Sequence, residues 1–551
     1  MADGKTAFRH TGRSLTERGG NEMKTVANAA SSNKHLTLFG FFAITASMVM
    51  TIYEYPTFAS SGFSLVFFLI LAGILWFLPV ALSSAEMATV QGWDTGGVYT
   101  WSGNMLGEKW GFANIFFQWF QITVGFVTMI YFILGALSYV LHWDALNTNP
   151  VIKFIGVLVI FWALTFSQFK GTKLTAKISK IGFVFGIMIP AIVLFALAIG
   201  FFTTGGKSLI PLDAKALIPD FTKIDTLVVF VSFILAYAGI EASATHANEM
   251  KNVKRDYPIA IIILVILAII LNTIGGVSIG AVVPEAQLGL STGVIQGFEG
   301  LVHHFGSGMD WIVGVIAILI AVGVIAEVSA WVVGPSWGML EAGKNGLLPK
   351  KLSETNKHGV PTKFLLLQGV IVTAWAAILT FGGGGSNVSF FTAISLTVII
   401  YIVGYIIFFL AYIKLVRKHG DLKRAFEISK KKPIKLVMAF AGLILSIFAL
   451  VISFVPPSQL TGKDASTQYL TILIISFVVV VFVPFIIYHF MRKKNPLPPG
   501  VKMPPVTGDT AAAGAAATAT ATTTDAAKQQ GAQAAGSSAP PDDKQKAPPK
   551  K

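Results

Sequence analysis

A chain of 551 residues that is 54% hydrophobic, 13% charged and has a mean hydropathy of +0.69 falls outside the range of soluble globular proteins and reads as a polytopic membrane protein. Its net charge of +15 would suggest nucleic acid in a soluble chain; here it reports cytoplasmic connections, and no nucleic-acid partner is expected. The absence of cysteine excludes disulfides, thiolate metal sites and thiol catalysis.

Residues 1–34 are polar, carry Lys5, Arg9, Arg13, Arg18 and Lys24, and show no signal-peptide pattern, so they read as a cytoplasmic tail. Apolar segments long enough to cross a bilayer then begin near Leu36, Phe63, Phe112, Val151, Ile178, Leu227, Pro258, Trp311, Phe364, Phe390, Leu436 and Tyr469, about twelve in all. With spans placed by hydropathy, Lys and Arg concentrate in the connections on the N-terminal side, which predicts that both termini are cytoplasmic. The basic runs KLVRKHGDLKR and KKKPIK between spans ten and eleven read as an orientation determinant rather than a lipid-recognition patch. Residues 35–490 form one membrane domain. Residues 491–551 turn to Ala, Thr, Pro, Gly and Lys, the composition of a disordered, low-complexity tail.

Several motifs fail on inspection. Gly206-Lys207-Ser208 resembles the end of a phosphate-binding loop, but Phe201 stands where its leading glycine belongs. His246-Ala-Asn-Glu249 begins like a zinc-protease helix, but Met250 replaces the second histidine. No catalytic residue, metal site or cofactor is therefore expected. His303 and His304 read as loop histidines before span eight, with sensing of external pH as the alternative. Asn387-Val-Ser389 is a weak glycosylation signal.

Three carboxylates lie well inside spans: Glu54 in MTIYEYPTF, Glu241 in AYAGIEASA and Glu327 in GVIAEVSAW, with no Lys or Arg at comparable depth. Lipid cannot solvate them, so they should face a central polar cavity that favours a cationic or zwitterionic guest or binds a proton. The alternative for each is a structural acid bonded to a neighbouring helix. Glu86, at the inner end of span two, reads as a loop organiser. Tyr401 and Tyr405 share one face of span ten by their spacing, as Glu327 and Trp331 do on span eight. Pro56 removes a backbone donor from span one and Gly239 weakens span six, five spans later. That placement predicts two inverted repeats of five spans, each opening with a discontinuous helix whose free ends suit a carboxylate and an ammonium. An amino acid carries both groups.

The stretches HLTLFGFFAITASMVMTIYEYPTFASSGFSLVFF, AEMATVQGWDTGGVYTW, FILAYAGIEASATHANEMKNVKRDYP and VSAWVVGPSWGM resemble the amino acid/polyamine/organocation superfamily, and within it the glutamate/γ-aminobutyrate antiporters of bacterial acid resistance. The resemblance covers roughly residues 35 to 490. It implies an all-α, LeuT-like fold, two helices beyond the repeats, and an inner-membrane secondary transporter rather than an enzyme. It implies exchange of external glutamate for internal γ-aminobutyrate, linked to a cytosolic glutamate decarboxylase. It also implies a site in which main chain near Met50, Thr51 and Ala238 holds the guest's α-carboxylate and amino group, with Gly239 on the same path. Tyr53 and Glu241 would then belong to the path, with Glu327, Trp331, Tyr401 and Tyr405 around the guest's side chain. Two departures are visible. Val49-Met50-Thr51 replaces the superfamily's Gly-Ser-Gly in span one, and no histidine follows Phe490 in the tail. An exchanger of another amino acid, of glutamine or arginine/agmatine type, and an amino-acid-sensing receptor are the rival expectations.

Overall fold

The computed structural model describes residues 37–497, apart from 94–95, 172–177, 179–180, 223–226, 245–249, 307, 383–384, 457–459 and 461–462. The 1–34 tail, residues 498–551 of the 491–551 tail and the His246–Glu249 motif lie outside the described residues, while the last helix runs on to Lys494, past the expected boundary at 490. Among those described, ten helices are long and apolar enough to cross a bilayer. They are Gly62–Ala88 (span two), Glu108–Val140 (three), Pro150–Gln168 (four), Val184–Thr203 (five), Val253–Val282 (seven), Asp310–Val332 (eight), Thr362–Phe381 (nine), Asn387–Lys418 (ten), Lys432–Ile452 (eleven) and Asp464–Lys494 (twelve). The remaining two, one and six, are the interrupted ones. Span one is helical over Leu38–Val49 and again over Tyr55–Ala59, and span six over Phe230–Leu235 and again over Ile240–Ala244.

The residues explain both interruptions. In span one the helix stops at Val49, and the N–H groups of Thr51, Ile52, Tyr53 and Glu54 donate to no described backbone acceptor. Pro56 then enters as the second residue of the new helix, where its missing N–H costs nothing. In span six the backbone leaves helical geometry at Gly239, whose φ of +103° is open to glycine and strained for residues with a Cβ.

Spans three and ten form the centre of the bundle: 89% and 83% of their apolar stretches are buried inside the protein, against 17% of span twelve, which therefore lies at the edge. Span five crosses span eight at Gly186 and Gly323, where a Cβ on Gly186 would fall 2.2 Å from the Gly323 Cα. That approach, with Gly182 against Ala326, fixes the rotation of span eight about its axis and turns Glu327 and Trp331 to the centre.

The face on which span one begins and span twelve ends is held by two buried ion-pair clusters. Glu86, fully buried, accepts from Arg424 Nη1 at 2.7 Å, Lys435 Nζ at 2.5 Å, Tyr412 Oη at 2.9 Å and the Ile428 N–H at 3.1 Å. It organises the linker between spans ten and eleven, and two cations of the basic runs are spent inside the protein instead of marking orientation alone. Glu108, in the first turn of span three, pairs with Arg492 at the end of span twelve, and Arg492 Nη2 also donates to the Asn345 carbonyl at 2.9 Å. On the opposite face His303 and His304 occupy the last turn of a helix, Gly293–Phe305, where a loop was expected. His303 contacts Asp310 at 2.6 Å and His304 contacts Thr204 at 2.7 Å. Asn387 is committed to the chain itself, accepting from the Leu290 N–H and donating to the Leu288 carbonyl.

Replacing Glu86 by alanine leaves Arg424 buried without its carboxylate and Lys435 with Glu427 alone at 3.3 Å, a loss of about 3–5 kcal/mol for a broken buried pair. The expected outcome is a lower melting temperature of the detergent-solubilised protein, checked by thermal unfolding.

Candidate functional site

Between the interrupted spans and spans three, eight and ten lies a cavity of about 40 Å³, room for the centres of a few water molecules. Span one lines it with Val49, Thr51, Tyr53 and Glu54, and span six with Leu235 and Ala238. Span eight adds Glu327 and Trp331, span ten Thr397 and Tyr401, and span three Gln121, Ile122, Gly125, Thr128 and Met129. Two carboxylates therefore face one small space, and none of the described residues lining it is Lys, Arg or His. Glu54 and Glu327 are 2% and 9% exposed.

Glu241 is placed differently. It stands one residue into the second half of span six and is absent from the cavity lining; its carboxylate is bonded to neighbouring spans. Oε1 accepts from Gln118 Nε2 of span three at 2.8 Å and from the Tyr401 hydroxyl of span ten; Oε2 accepts from the Tyr405 hydroxyl at 2.6 Å. The Tyr405 hydroxyl also accepts the Gly239 N–H at 2.8 Å. One tyrosine thus serves both the charge and an amide released by the break. A Cβ on Gly239 would meet the Trp331 ring at 3.3 Å, so the left-handed glycine makes room for the tryptophan. The Tyr401 and Tyr405 rings lie 4.7 Å apart, and Trp76 meets Tyr405 edge-on at 4.7 Å.

Of the residues expected around a guest, Thr51, Tyr53, Ala238, Glu327, Trp331 and Tyr401 line the cavity, whereas Met50, Gly239, Glu241 and Tyr405 stand just behind its wall. The difference has a physical reason. A lone carboxylate in an apolar helix advertises burial, but which acid meets the cavity depends on which neighbours donate to it, and Glu241 has three donors. Sequence reasoning passed over the span-three wall. Gln118 and Gln121 in QWFQITVG were its signal: two amides within an apolar span buried along most of its length.

The arrangement can receive a small polar molecule through backbone groups freed at two breaks, with acids and aromatic rings around it, which is the chemistry of a carrier. Comparison with known proteins gives the class a family. Residues 36–508 match the amino acid permease family, and the chain belongs to it. It is 59% identical over 464 residues to the glutamate/gamma-aminobutyrate antiporter of Lactococcus lactis, covering 84% of this chain and 92% of that one. It is 33% identical over 455 residues to an uncharacterized transporter of Legionella pneumophila, covering 83% and 97%. Among solved structures it shares its fold with MhsT in complex with L-phenylalanine, at TM-score 0.53 and 16% identity over 75% of this chain and 97% of that one. The chain is an all-α, LeuT-like, multi-pass membrane transporter.

Tyr405→Phe removes a donor to Glu241 and the acceptor of the Gly239 N–H together. Two buried groups lose a partner, at about 1–3 kcal/mol each, whereas Tyr401→Phe leaves the Gly239 bond in place. The expected outcome is a larger fall in melting temperature for Tyr405→Phe than for Tyr401→Phe.

Proposed function

We propose that this chain exchanges external glutamate for internal γ-aminobutyrate by alternating access. The observation that carries the reading is the cavity between the two interrupted spans, with carboxylates and without a cationic side chain; the identity to a glutamate/gamma-aminobutyrate antiporter supports the choice of cargo. Main chain around Met50, Thr51 and Ala238 takes the guest's α-carboxylate and amino group where one is present, beside Gly239, whose N–H stays with Tyr405. Tyr53, Glu327, Trp331 and Tyr401 surround its distal end, and Glu241 with Tyr405 couples the broken sixth span to spans three and ten.

The face carrying the ends of spans one and twelve is the cytoplasmic one, with both tails inside the cell, as the distribution of Lys and Arg supports. Rocking of the bundle around spans one and six opens the cavity to one side of the membrane at a time. Return of the empty site is slow, which makes the transport an exchange. An acid-lined cavity prefers guests of zero or positive charge. Glutamate with its side chain protonated is neutral, and γ-aminobutyrate with its carboxyl protonated is a cation. Cytosolic glutamate decarboxylase, converting one into the other, consumes a proton, so the pair removes acid from the cell.

In liposomes loaded with γ-aminobutyrate, uptake of labelled glutamate is expected at acidic pH and is expected to be lost when the vesicles are empty; equal uptake with nothing inside would sink the exchange reading. The movement of one net charge per cycle predicts that an imposed membrane potential changes the rate.

The low-complexity composition after Phe490 supports reading the C-terminal residues as a tail without a part in exchange. Deleting residues 498–551, which spares Arg492 and Asn495, is expected to leave the pH profile of exchange unchanged. Activity newly unlocked at neutral pH would assign the tail a gating role.

A further inference from the structure

Glu54 occupies the position from which a side chain ordinarily caps the N-terminus of the next helix, here the second half of span one. It makes no such bond. Pro56 has no N–H to offer, and the N–H groups of Thr57 and Phe58 go to the backbone carbonyl of Glu54 itself, at 3.0 and 3.2 Å. The carboxylate is buried, and its Oε2 has no partner among the described residues. A buried carboxylate oxygen without a donor is costly, and span one gains nothing structural from it. The hydroxyls of Thr128 on span three and Thr397 on span ten line the same cavity and are likewise unpartnered among the described residues. Unlike Glu241, which has three donors of its own, Glu54 has acceptor capacity left over at the cavity.

The groups around it set what that capacity is suited for. Span eight presents the second acid, Glu327, and span ten the Tyr401 hydroxyl; Tyr53 and Tyr55 belong to its own span. Spans three and six present uncharged side chains to the cavity. Span seven and the Gly293–Phe305 helix meet this half of span one through Gly275, against the Tyr55 ring, and Gly293, against Pro56. Among the described residues lining the cavity none is cationic, so an anionic end of a guest would meet two carboxyl groups with no cation to offset it. An ammonium or an un-ionised carboxylic acid would instead donate to the acids already there.

We infer that Glu54 is a specificity-determining residue of the transport site: it receives the distal end of the bound amino acid and admits that end when it carries a hydrogen-bond donor and no negative charge. The inference rests on the exchange of amino acids proposed above and assigns within it the group that reads the guest's protonation.

The test compares wild type, Glu54→Gln and Glu54→Asp, full length in liposomes loaded with γ-aminobutyrate, for uptake of labelled glutamate and labelled glutamine at about pH 5.5 and about pH 7.5. In the wild type glutamate uptake is expected to fall by about tenfold or more across this window, as the guest loses its acidic proton, while glutamine uptake changes little. Glu54→Gln reduces the fall for glutamate to about threefold or less, and Glu54→Asp keeps it steep. An unchanged fall in Glu54→Gln overturns the inference, as does loss of both substrates in both variants together with a lowered melting temperature, which marks a structural acid. If the wild type exchanges neither substrate, the broader reading has failed by itself. Glu54 is then judged by stabilisation of the purified protein by zwitterionic, cationic and anionic amino acids: a changed preference in Glu54→Gln upholds the inference and an unchanged one ends it.

Discussion

The hydrogen bonds that meet at Glu241 are the constraint on which the rest of the centre depends. Hydrocarbon offers no donors or acceptors, so a helix interrupted inside a membrane must have its freed groups served by other spans. Span six solves this with one side chain from span ten. The Tyr405 hydroxyl accepts the Gly239 N–H and donates to Glu241, while Tyr401 and Gln118 complete the carboxylate. Three spans are thereby fastened at the point where backbone regularity ends. Gly239 can hold its left-handed φ because Tyr405 takes its amide, and Trp331 can lie against it because there is no Cβ.

Span one is interrupted without such a knot. The N–H groups of Thr51 to Glu54 donate to no described backbone acceptor, and Glu54, at the start of the second half, does not turn back to cap it. The two breaks are therefore unlike in chemistry although they occupy equivalent places. The sixth is structurally satisfied, whereas the first retains unused hydrogen-bonding capacity next to the cavity. A transporter needs both: a site rigid enough to be the same in every cycle, and groups a guest can satisfy better than the empty cavity does.

Charge is divided in the same way between structure and site. On the face that carries the ends of spans one and twelve, acids and bases are consumed pairwise, Glu86 by Arg424 and Lys435, and Glu108 by Arg492. These pairs tie the ends of spans two, three and twelve and the connections that follow spans eight and ten. At the cavity, Glu54 and Glu327 meet no cation of the protein's own. Acids at the end of the bundle are thus paired with bases, while those at its centre face a cavity without a cation among its described lining residues.

Much of this was legible from residue order. Apolar runs of bilayer length announced the spans, since burying a helix in lipid demands about twenty apolar residues and little else. Pro56 and Gly239 announced the two breaks, because each changes what the backbone can do by itself. Lone acids in spans pointed to the centre of the bundle, where the cavity lies, and Glu86 was recognisable as an organiser of loops. Which acid faces the cavity was decided by tertiary structure alone. Glu54 and Glu241 look alike in sequence, and they differ because Gln118, Tyr401 and Tyr405, more than a hundred residues away from Glu241, converge on one and not on the other. The rotation of span eight, set by two glycines of different spans meeting at Gly186 and Gly323, was equally hidden. Local order determines what a segment can do on its own; the use made of a polar group depends on the partners that packing brings to it.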